Sequence, residues 1–479
     1  MVSRSDGDDI HKNFANLNEK HSGGNEDKVN INGKEKDDGS SSRVLIVVFL
    51  GLLLDLIAFA VILPLLPSLL DHYSKDNKDG FFRFVQTRVN DFRDFLRIPN
   101  VERYNFVLFG GFVGSLFSFQ QFVTTPLLGA LSDVYGRKSI LLLSMTGVAV
   151  SYALWACSQN FTIFVLARII GGLCKGNVTI SIAIVTDVTS TVNRGKGMAL
   201  IGVAYSVGFI IGPVIGAIFS KHSQTTSGTL YILPAMFTVI VTVVDILFLM
   251  FSLEETLPKE KRAKSLTSEM KNAMQLINPL SLFCFDAADM KDKAELTNAK
   301  RIGFVYFIYL FLFSGLEFTL TFLTHSILNY TSMQQGKMFL FVGLVMALVQ
   351  GGYVRRLAPG GEKKLAIHGM IALIPAMLVL GLATSTKLFY IGITLFSFGA
   401  ATVVSALTTM ISKYGNTEEK GKIMGIFRSL GTLARATGPF FSCAMYWSIG
   451  PLYCYGIGAL FFLIPLYLLK QINPHEKLS

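Results

Sequence analysis

Twelve apolar runs, each long enough to cross a bilayer as a helix, constrain the fold of this chain more than any other feature. A helix rises about 1.5 Å per residue, so about 20 apolar residues span the hydrocarbon core of a membrane. The runs cover residues 44–70, 104–131, 140–157, 161–185, 197–219, 230–253, 302–325, 337–354, 365–383, 388–412, 423–447 and 452–469. The sequence therefore predicts an all-α membrane protein with twelve transmembrane helices, six on each side of the polar stretch 254–301.

Composition supports a membrane protein and argues against an enzyme or a nucleic-acid partner. Apolar residues make up 51% of the 479 residues and charged residues only 16%, unlike a soluble domain. Most of the net charge of +11 lies in short loops between the runs, where basic residues mark the cytoplasmic side. The sequence has no phosphate-binding loop, no His-Glu-x-x-His pattern and no metal-like cysteine spacing. We expect no enzymatic activity, cofactor, metal or nucleic acid.

Polar stretches divide the chain into domains. We predict a disordered cytoplasmic N-terminus at 1–42, bundles at 43–253 and 302–469, a cytoplasmic linker at 254–301 with a helix around 266–277, and a cytoplasmic tail at 470–479. Basic residues are concentrated in the short loops on the side of the termini, so the positive-inside rule predicts that both termini are cytoplasmic. In the long loop 71–103, apolar residues recur at helical spacing, which predicts a short amphipathic helix on the outer face.

A polar turn that starts at Gly129, Gly-Ala-Leu-Ser-Asp-Val-Tyr-Gly-Arg-Lys, joins the second and third runs. Asp133 and Arg137 are four residues apart, so they pair if the turn stays helical. Gly129 and Gly136 allow a positive φ or a close backbone approach. Asp187 ends helix four on the same side, and we predict that it joins Asp133 and Arg137 in a charge cluster. The alternative is an ordinary loop with basic residues on the cytoplasmic side.

The two halves of the chain carry similar sequences at a constant offset of 226 residues. Gly-Lys-Gly-Met at Gly195 corresponds to Gly-Lys-Ile-Met at Gly421, and one Gly-Pro pair follows each. The fifth and eleventh helices are therefore equivalent elements of a duplicated unit, a feature of many transporters. Small residues allow close helix packing, and Gly-Pro pairs bend helices. A hinge or a static kink would use the same residues: Gly208, Gly212, Pro213, Gly216, Gly438 and Pro439.

Four patterns resemble those of the major facilitator superfamily. They are the turn at 129–138, the helix-five stretch 208–216, Arg168 with Gly171 in helix four, and Asp55 with the stretch 63–67 in helix one. The last is similar to the drug–proton antiporters, and stretches 48–54, 306–316 and 334–339 resemble an animal member. The resemblance spans about residues 43–470.

That resemblance implies two pseudo-symmetric six-helix bundles, alternating access, and organic-anion or drug substrates. In the superfamily, acids and an arginine at the positions of Asp133, Arg137 and Asp187 latch the outward-open state. The helix-five stretch resembles an antiporter motif, which implies exchange. The second-half copy of the turn, at 352–356, is degenerate, so an equal latch there is not expected.

Charged residues inside the apolar runs are costly, so each is a candidate for function. Lys175 and Arg435 fall near the middle of helices four and eleven, in different halves. We predict that they bind an anion between the bundles, with Arg168 of helix four assisting. The alternatives are an acidic partner for Lys175 and a packing role for Arg168.

Two acids near the middle of equivalent helices are candidates for proton coupling. Asp55 lies in helix one and Glu317 in helix seven, and burial or a nearby cation changes the proton affinity of such groups. A hydrogen bond to a neighbouring helix is the structural alternative for Asp55. Asp245 and Arg428 lie nearer the cytoplasmic ends, and we interpret them as structural.

We therefore predict a secondary active transporter that moves organic anions or amphipathic drugs by alternating access, coupled to protons or another counter-ion. It would be a monomeric multi-pass protein of the plasma membrane or an internal membrane, in contact with the lipid bilayer. The alternative is a transport-inactive scaffold or receptor with the same fold, although a scaffold has no need of buried charges. A passive channel is disfavoured, because nothing resembles a ring of filter carbonyls.

Overall fold

The computed structural model describes residues 31–74, 79–96, 102–189, 194–223, 232–288, 290, 292–356, 360–415 and 419–472. Of these residues, 44–472 belong to one compact unit. Of the segment that we predicted to be disordered, residues 1–30 lie outside the described part. Residues 31–42 lie in a helix that begins at Ile31.

The first half of the described chain is helical throughout its apolar runs. Its helices are α1 (Ile31–Ala60), α2 (Leu66–Ser74), α3 (Gly80–Leu96), α4 (Glu102–Tyr135), α5 (Arg137–Ala156), α6 (Phe161–Cys174), α7 (Asn177–Val188), α8 (Arg194–Ser223) and α9 (Ile232–Ser252). The predicted single helix 44–70 is interrupted at residues 61–65. Pro64 and Pro67 cause the break, since proline lacks the amide proton that a helix interior needs. Helix α3 confirms the helix predicted in loop 71–103.

The linker and the second half are also helical. Their helices are α10 (Leu266–Gln275), α11 (Pro279–Cys284), α12 (Lys293–Ser326), α13 (Ser332–Leu348), α14 (Glu362–Gly381), α15 (Thr386–Ile411), α16 (Glu419–Phe461) and α17 (Leu463–Gln471). Helix α10 confirms the predicted linker helix. Helix α12 begins well before residue 302, because the Asp292 carboxylate caps it by accepting the backbone N–H of Ala294 at 2.8 Å.

Helix α16 contains a turn that restores the predicted count of twelve crossings. Eleven segments of the described chain are long and apolar enough to span a membrane, and the last covers the 53 residues Glu419–Gln471. A straight helix of that length would measure about 80 Å, against about 30 Å of hydrocarbon. Gly450 has non-helical angles of φ 80° and ψ 170°. The Cys454 thiol donates to the Ser442 carbonyl at 3.5 Å, so the chain folds back at Gly450 and crosses twice.

Helices α8 and α16 occupy equivalent places in the two halves. A side chain on Gly212 of α8 would lie 2.7 Å from the Ile57 carbonyl oxygen of α1, and one on Gly438 of α16 would lie 2.7 Å from the Ser314 hydroxyl of α12. The glycines of α8 therefore pack against α1, and those of α16 pack against α12, which is the first helix of the second half. This geometry confirms the equivalence inferred from the 226-residue offset. The hinge role stays a prediction.

The two bundles contact each other at the end remote from the Asp133–Arg137 turn, here called the opposite end. A Cβ on Gly111, near the start of α4, would lie 3.3 Å from the Pro439 carbonyl oxygen of α16. A Cβ on Gly336 of α13 would lie 3.2 Å from the Pro213 carbonyl oxygen of α8. Close approach of bare backbones therefore closes the opposite end.

Helix α3 is fixed to the first bundle by Asp79. Its carboxylate accepts the backbone N–H groups of Phe81 at 2.9 Å and Thr162 at 2.8 Å, which joins the starts of α3 and α6. Burial alone would raise the pKa of Asp79, but the hydrogen bonds from Thr162, Phe82 and Phe81 lower it on balance. The anchor is therefore present at neutral pH and is lost only as the pH falls through this lowered value.

Substitution of Gly212 by alanine tests the packing of α8 on α1. We expect Gly212→Ala to lower the thermal unfolding midpoint in detergent, because overpacking at a backbone contact costs about 1–3 kcal/mol. Gly202→Ala on the same helix is the matched control, since a Cβ there meets nothing within 4 Å. Equal midpoints for the two variants would contradict the close α1–α8 contact.

Candidate functional site

The fourth predicted helix is broken at Lys175, close to the middle of its membrane span. Lys175 has φ −79° and ψ 64°, the geometry of an inverse γ-turn. The Gly176 N–H accordingly donates to the Cys174 carbonyl at 2.8 Å. The prediction of one helix over 161–185 was therefore wrong, and α6 and α7 share the crossing. Broken helices occur at membrane depth where they line a cavity or a site.

Hydroxyl groups of neighbouring helices bind the backbone groups that the break releases. The Ser144 hydroxyl of α5 donates to the Cys174 carbonyl at 2.5 Å, and the Gly176 N–H donates to the Ser144 oxygen at 3.3 Å. The Thr125 hydroxyl of α4 reaches the Lys175 carbonyl at 3.4 Å. These contacts stabilise the break, because unpaired backbone groups in a bilayer are costly.

The break directs the Lys175 ammonium to Asp55 of α1. Its Nζ lies 2.7 Å from Oδ1 and 2.6 Å from Oδ2 of the carboxylate. The Asn177 amide donates to the same Oδ2 at 2.6 Å, and the Phe59 ring centroid lies 5.0 Å from Nζ. Both charged residues are at least 96% buried. Of our alternatives for Lys175, an acidic partner is confirmed, and that partner is the predicted proton-coupling residue.

A second group of charges comes from the other bundle. Arg435 and Glu317 are exposed although both lie within membrane-spanning segments, and they interact electrostatically. Neither forms a direct ion pair with another residue in the described part of the chain. Tyr205 of α8 interacts electrostatically with Arg435 and with Asp55. Tyr205 is therefore within electrostatic range of an acid of the first bundle and of the exposed cation Arg435 of the second.

Arg168 lies away from both groups. Its guanidinium carbon is 5.7 Å from the ring centroids of Trp155 and Phe164 and 5.9 Å from that of Phe117. The residue is only 5% exposed, and its Nε and Nη2 atoms have no hydrogen-bond partner in the described structure. The geometry favours the alternative of a packing cation, stabilised by aromatic faces. The structure does not bring Arg168 to Lys175 or Arg435.

The turn between α4 and α5 forms the predicted charge cluster. The Arg137 guanidinium lies 2.7 Å from Asp133 and 2.8 Å from Asp187, and it donates to the Ser132 hydroxyl at 2.7 Å. Gly136 has a φ of 102°, which favours glycine as predicted. Gly129 is different, since a Cβ there would make only an ordinary contact at 3.8 Å.

The linker contributes Glu255, which our sequence reasoning missed. Its carboxylate accepts the backbone N–H of Arg137 at 3.0 Å and lies 3.5 Å from the Arg262 guanidinium. The Ala263 N–H donates to the Asp133 carbonyl at 3.0 Å. A carboxylate at a helix N-terminus is favourable, but nothing in its spacing from Arg137 could have identified it. The linker is therefore attached to the charge cluster.

Comparisons with known sequences agree with this geometry. The sequence profile of the Major Facilitator Superfamily matches residues 48–439. Major facilitator superfamily domain-containing protein 10 of Mus musculus is 46% identical over 438 residues, which cover 91% of this chain and 94% of the relative. The Homo sapiens protein of that name is 45% identical, and the match covers 90% of this chain and 93% of the relative. Tetracycline resistance protein, class C, of Escherichia coli is 25% identical, and the match covers 85% of this chain and 90% of the relative.

Solved structures show the same relationship. The crystal structure of the human organic anion transporter MFSD10 (TETRAN) has a TM-score of 0.76 and 44% identity, and covers 90% of this chain and 99% of that chain. The structure of the nucleoside transporter NupG has a TM-score of 0.59 at 14% identity, and the match covers 89% of this chain and 99% of that chain. This similarity is one of fold alone. These findings confirm the resemblance to the superfamily and to an animal member of it.

Removal of the lysine from the buried pair tests its energetic role. We expect Lys175→Met to lower the thermal unfolding midpoint, because an unpaired buried charge costs about 3–5 kcal/mol. The double variant Asp55→Asn/Lys175→Met removes both charges and should regain most of that loss. A double variant less stable than Lys175→Met alone would contradict a pair held together by charge.

The charge cluster is tested by Asp133→Asn, with native Cys443 as the probe. Cys443 is buried against Gly111 at the opposite end, so its thiol reacts only when that end opens. The exposed Cys157 and Cys284, together with Cys174, are replaced by serine in all variants. We expect slower labelling of Cys443 and lower turnover in Asp133→Asn, since a weakened latch favours the state closed at the opposite end.

The matched control is Asp91→Asn, which removes the acid of an exposed pair with Arg88 in α3. Exposed pairs contribute little, so this variant should behave as wild type. Equal labelling and turnover in Asp133→Asn and wild type would rule out the latch.

Proposed function

Because the chain belongs to the major facilitator superfamily, a family of membrane transporters, we propose that it is a secondary active transporter of organic anions or amphipathic drugs. Alternating access of the two bundles would expose the site to each side of the membrane in turn. The relative whose crystal structure is named an organic anion transporter, 44% identical over 90% of this chain, supports the substrate class.

Arg435 carries the substrate assignment. An exposed cation within a membrane-spanning segment, without an ion pair among the described residues, is costly unless water or a ligand reaches it. Tyr205 and Tyr306 interact electrostatically with Arg435, and aromatic rings with hydroxyl groups suit an amphipathic anion. A carboxylate on Arg435 and an apolar body against these rings would satisfy both parts of such a substrate.

Lys175 supplies the connection between substrate and proton. A substrate that extends from Arg435 past Tyr205 would compete with Asp55 for the Lys175 ammonium. When the anion engages Lys175, Asp55 loses its cation and takes up a proton, because burial disfavours an unpaired carboxylate. This order moves the anion and the proton together, whereas the antiporter motif of α8 implies exchange. We therefore propose proton coupling through Asp55, with Glu317 as a second site beside Arg435, and leave its direction to experiment.

The remaining assignments follow from the same scheme. Asp133, Arg137 and Asp187 would latch the state that is open at the opposite end, while the Gly-Pro pairs of α8 and α16 act as hinges. The basic short loops support cytoplasmic termini, in the plasma membrane or an internal membrane. A monomer contains both bundles and therefore a whole site. The competing proposal is a scaffold or receptor that binds anions without moving them.

Uptake by proteoliposomes tests this function. Purified protein should take up radiolabelled p-aminohippurate, an organic anion, above the level of protein-free liposomes. We expect Arg435→Ala to raise the KM about 30-fold, since losing one partner of a buried charge contact costs on the order of 2 kcal/mol or more. Arg435→Lys keeps the charge, so its KM should lie between those of wild type and Arg435→Ala. An unchanged KM at normal expression would remove Arg435 from the site.

An imposed pH gradient tests the coupling in the same vesicles. Asp55→Asn and Glu317→Gln should lose gradient-driven uptake while substrate exchange across equal pH continues. Full pH-driven uptake in both variants would refute coupling through these acids. Binding of p-aminohippurate without any uptake above protein-free liposomes would favour the scaffold.

A further inference from the structure

Asp245 of α9 is a buried acid that the proposed cycle does not use. Its side chain is fully buried, and neither carboxylate oxygen has a hydrogen-bond partner in the described structure. Buried polar atoms almost always have a partner. An ionised carboxylate in this position would have no compensating hydrogen bond, and burying it would strongly destabilise the fold.

Asp245 and Asp55, the acid of the buried pair, line the same small cavity. It encloses about 10 Å³ and is lined by polar groups of Asp55, Asn177 and Ser181 as well as Asp245. That volume is close to the space that one water molecule needs. The Asn177 carbonyl oxygen Oδ1 also has no partner among the described residues. A water here would have carboxyl and amide oxygens around it, within the two to four partners that buried waters require.

The charges around the cavity show which protonation state fits. The charged groups that interact with Asp245 are Asp55 of α1 and Lys175 at the α6–α7 break, while α5 contributes only apolar side chains to the lining. The Lys175 ammonium is already held by both oxygens of Asp55. Asp245 therefore faces a like charge whose cation is engaged, and a protonated carboxyl removes the repulsion.

We propose that Asp245 carries a proton and, through one buried water, forms with Asp55 a two-carboxylate proton site behind Lys175. When an anion draws Lys175 away, the O–H bond of Asp245 breaks and an O–H bond forms on Asp55, with the water passing the proton, so that Asp245 is ionised only transiently. A proton from solvent then restores Asp245. This relay rests on the proposed proton coupling, but the resting protonation of Asp245 does not depend on transport.

Infrared spectroscopy of the purified protein in lipid tests the resting state. At neutral pH an ordinary aspartate, with a pKa of about 3.9, is ionised and shows no carboxylic-acid C=O band. We expect wild type to show such a band and Asp245→Asn to lose it. Asp245→Leu, an apolar replacement of similar size, should lose the same band and guards against misfolding of the amide variant. Asp55→Asn should shift the band, because the two groups share one water.

The matched control is Thr242→Val, one turn earlier on α9. Thr242 is also fully buried, but its hydroxyl donates within the helix to the Thr238 carbonyl at 2.8 Å. This variant should keep the band unchanged. A carboxylic-acid spectrum that is the same in wild type and Asp245→Asn would overturn the proposal, and an unshifted band in Asp55→Asn would overturn the shared site.

Uptake measurements with and without a pH gradient distinguish failure of this relay from failure of the proposed function. With coupling present, Asp245→Asn should reduce gradient-driven uptake several-fold and leave exchange at equal pH within about twofold of wild type, as a relay requires. Full gradient-driven uptake in Asp245→Asn would overturn the relay. If wild-type uptake ignored the pH gradient, the proposed coupling would fail and the relay with it, while the infrared band would still decide whether Asp245 holds a proton.

Discussion

The ion pair between Asp55 and Lys175 determines how the first bundle is built. A lysine in the middle of a membrane span must be neutralised or solvated, and here the chain interrupts a helix to bring its ammonium within 2.6 Å of a carboxylate. The interruption in turn requires the hydroxyl groups of α4 and α5 that bind the freed backbone. One buried pair therefore fixes the relative positions of α1, α4, α5 and the α6–α7 crossing.

The sequence predicted those features that depend on periodicity and local spacing. The twelve crossings, the equivalence of α8 and α16, and the pairing of Asp133 with Arg137 follow from run lengths, a constant offset and a four-residue interval. Contacts between distant residues were not accessible in this way. Asp55 and Lys175 are 120 residues apart, and Glu255 reaches Arg137 across 118 residues. No periodic pattern relates such positions.

The different surroundings of Arg168 and Lys175 have a specific geometric cause. Arg168 and Lys175 are seven residues apart, so a continuous helix would present them on nearly the same face. The γ-turn at Lys175 ends that regularity, and the two cations point to different surroundings. Arg168 is enclosed by aromatic rings while Lys175 meets Asp55. Position along a span does not predict the direction of a side chain, because that direction depends on the helix remaining intact.

The distribution of polar contacts suits bundles that move as rigid bodies. The ion pairs of the described residues lie within one half, within the linker or within α3, as with Arg137 and Asp187 or Lys413 and Glu362. The contacts between bundles at the opposite end instead place glycines against apolar side chains and carbonyl oxygens, such as Gly114 with Phe318 and Gly111 with Pro439. Separating these surfaces costs van der Waals contact but leaves the buried pairs of each bundle intact. A fold with strong charge pairs inside its halves and weak apolar contacts between them can open at one end without exposing an unpaired charge.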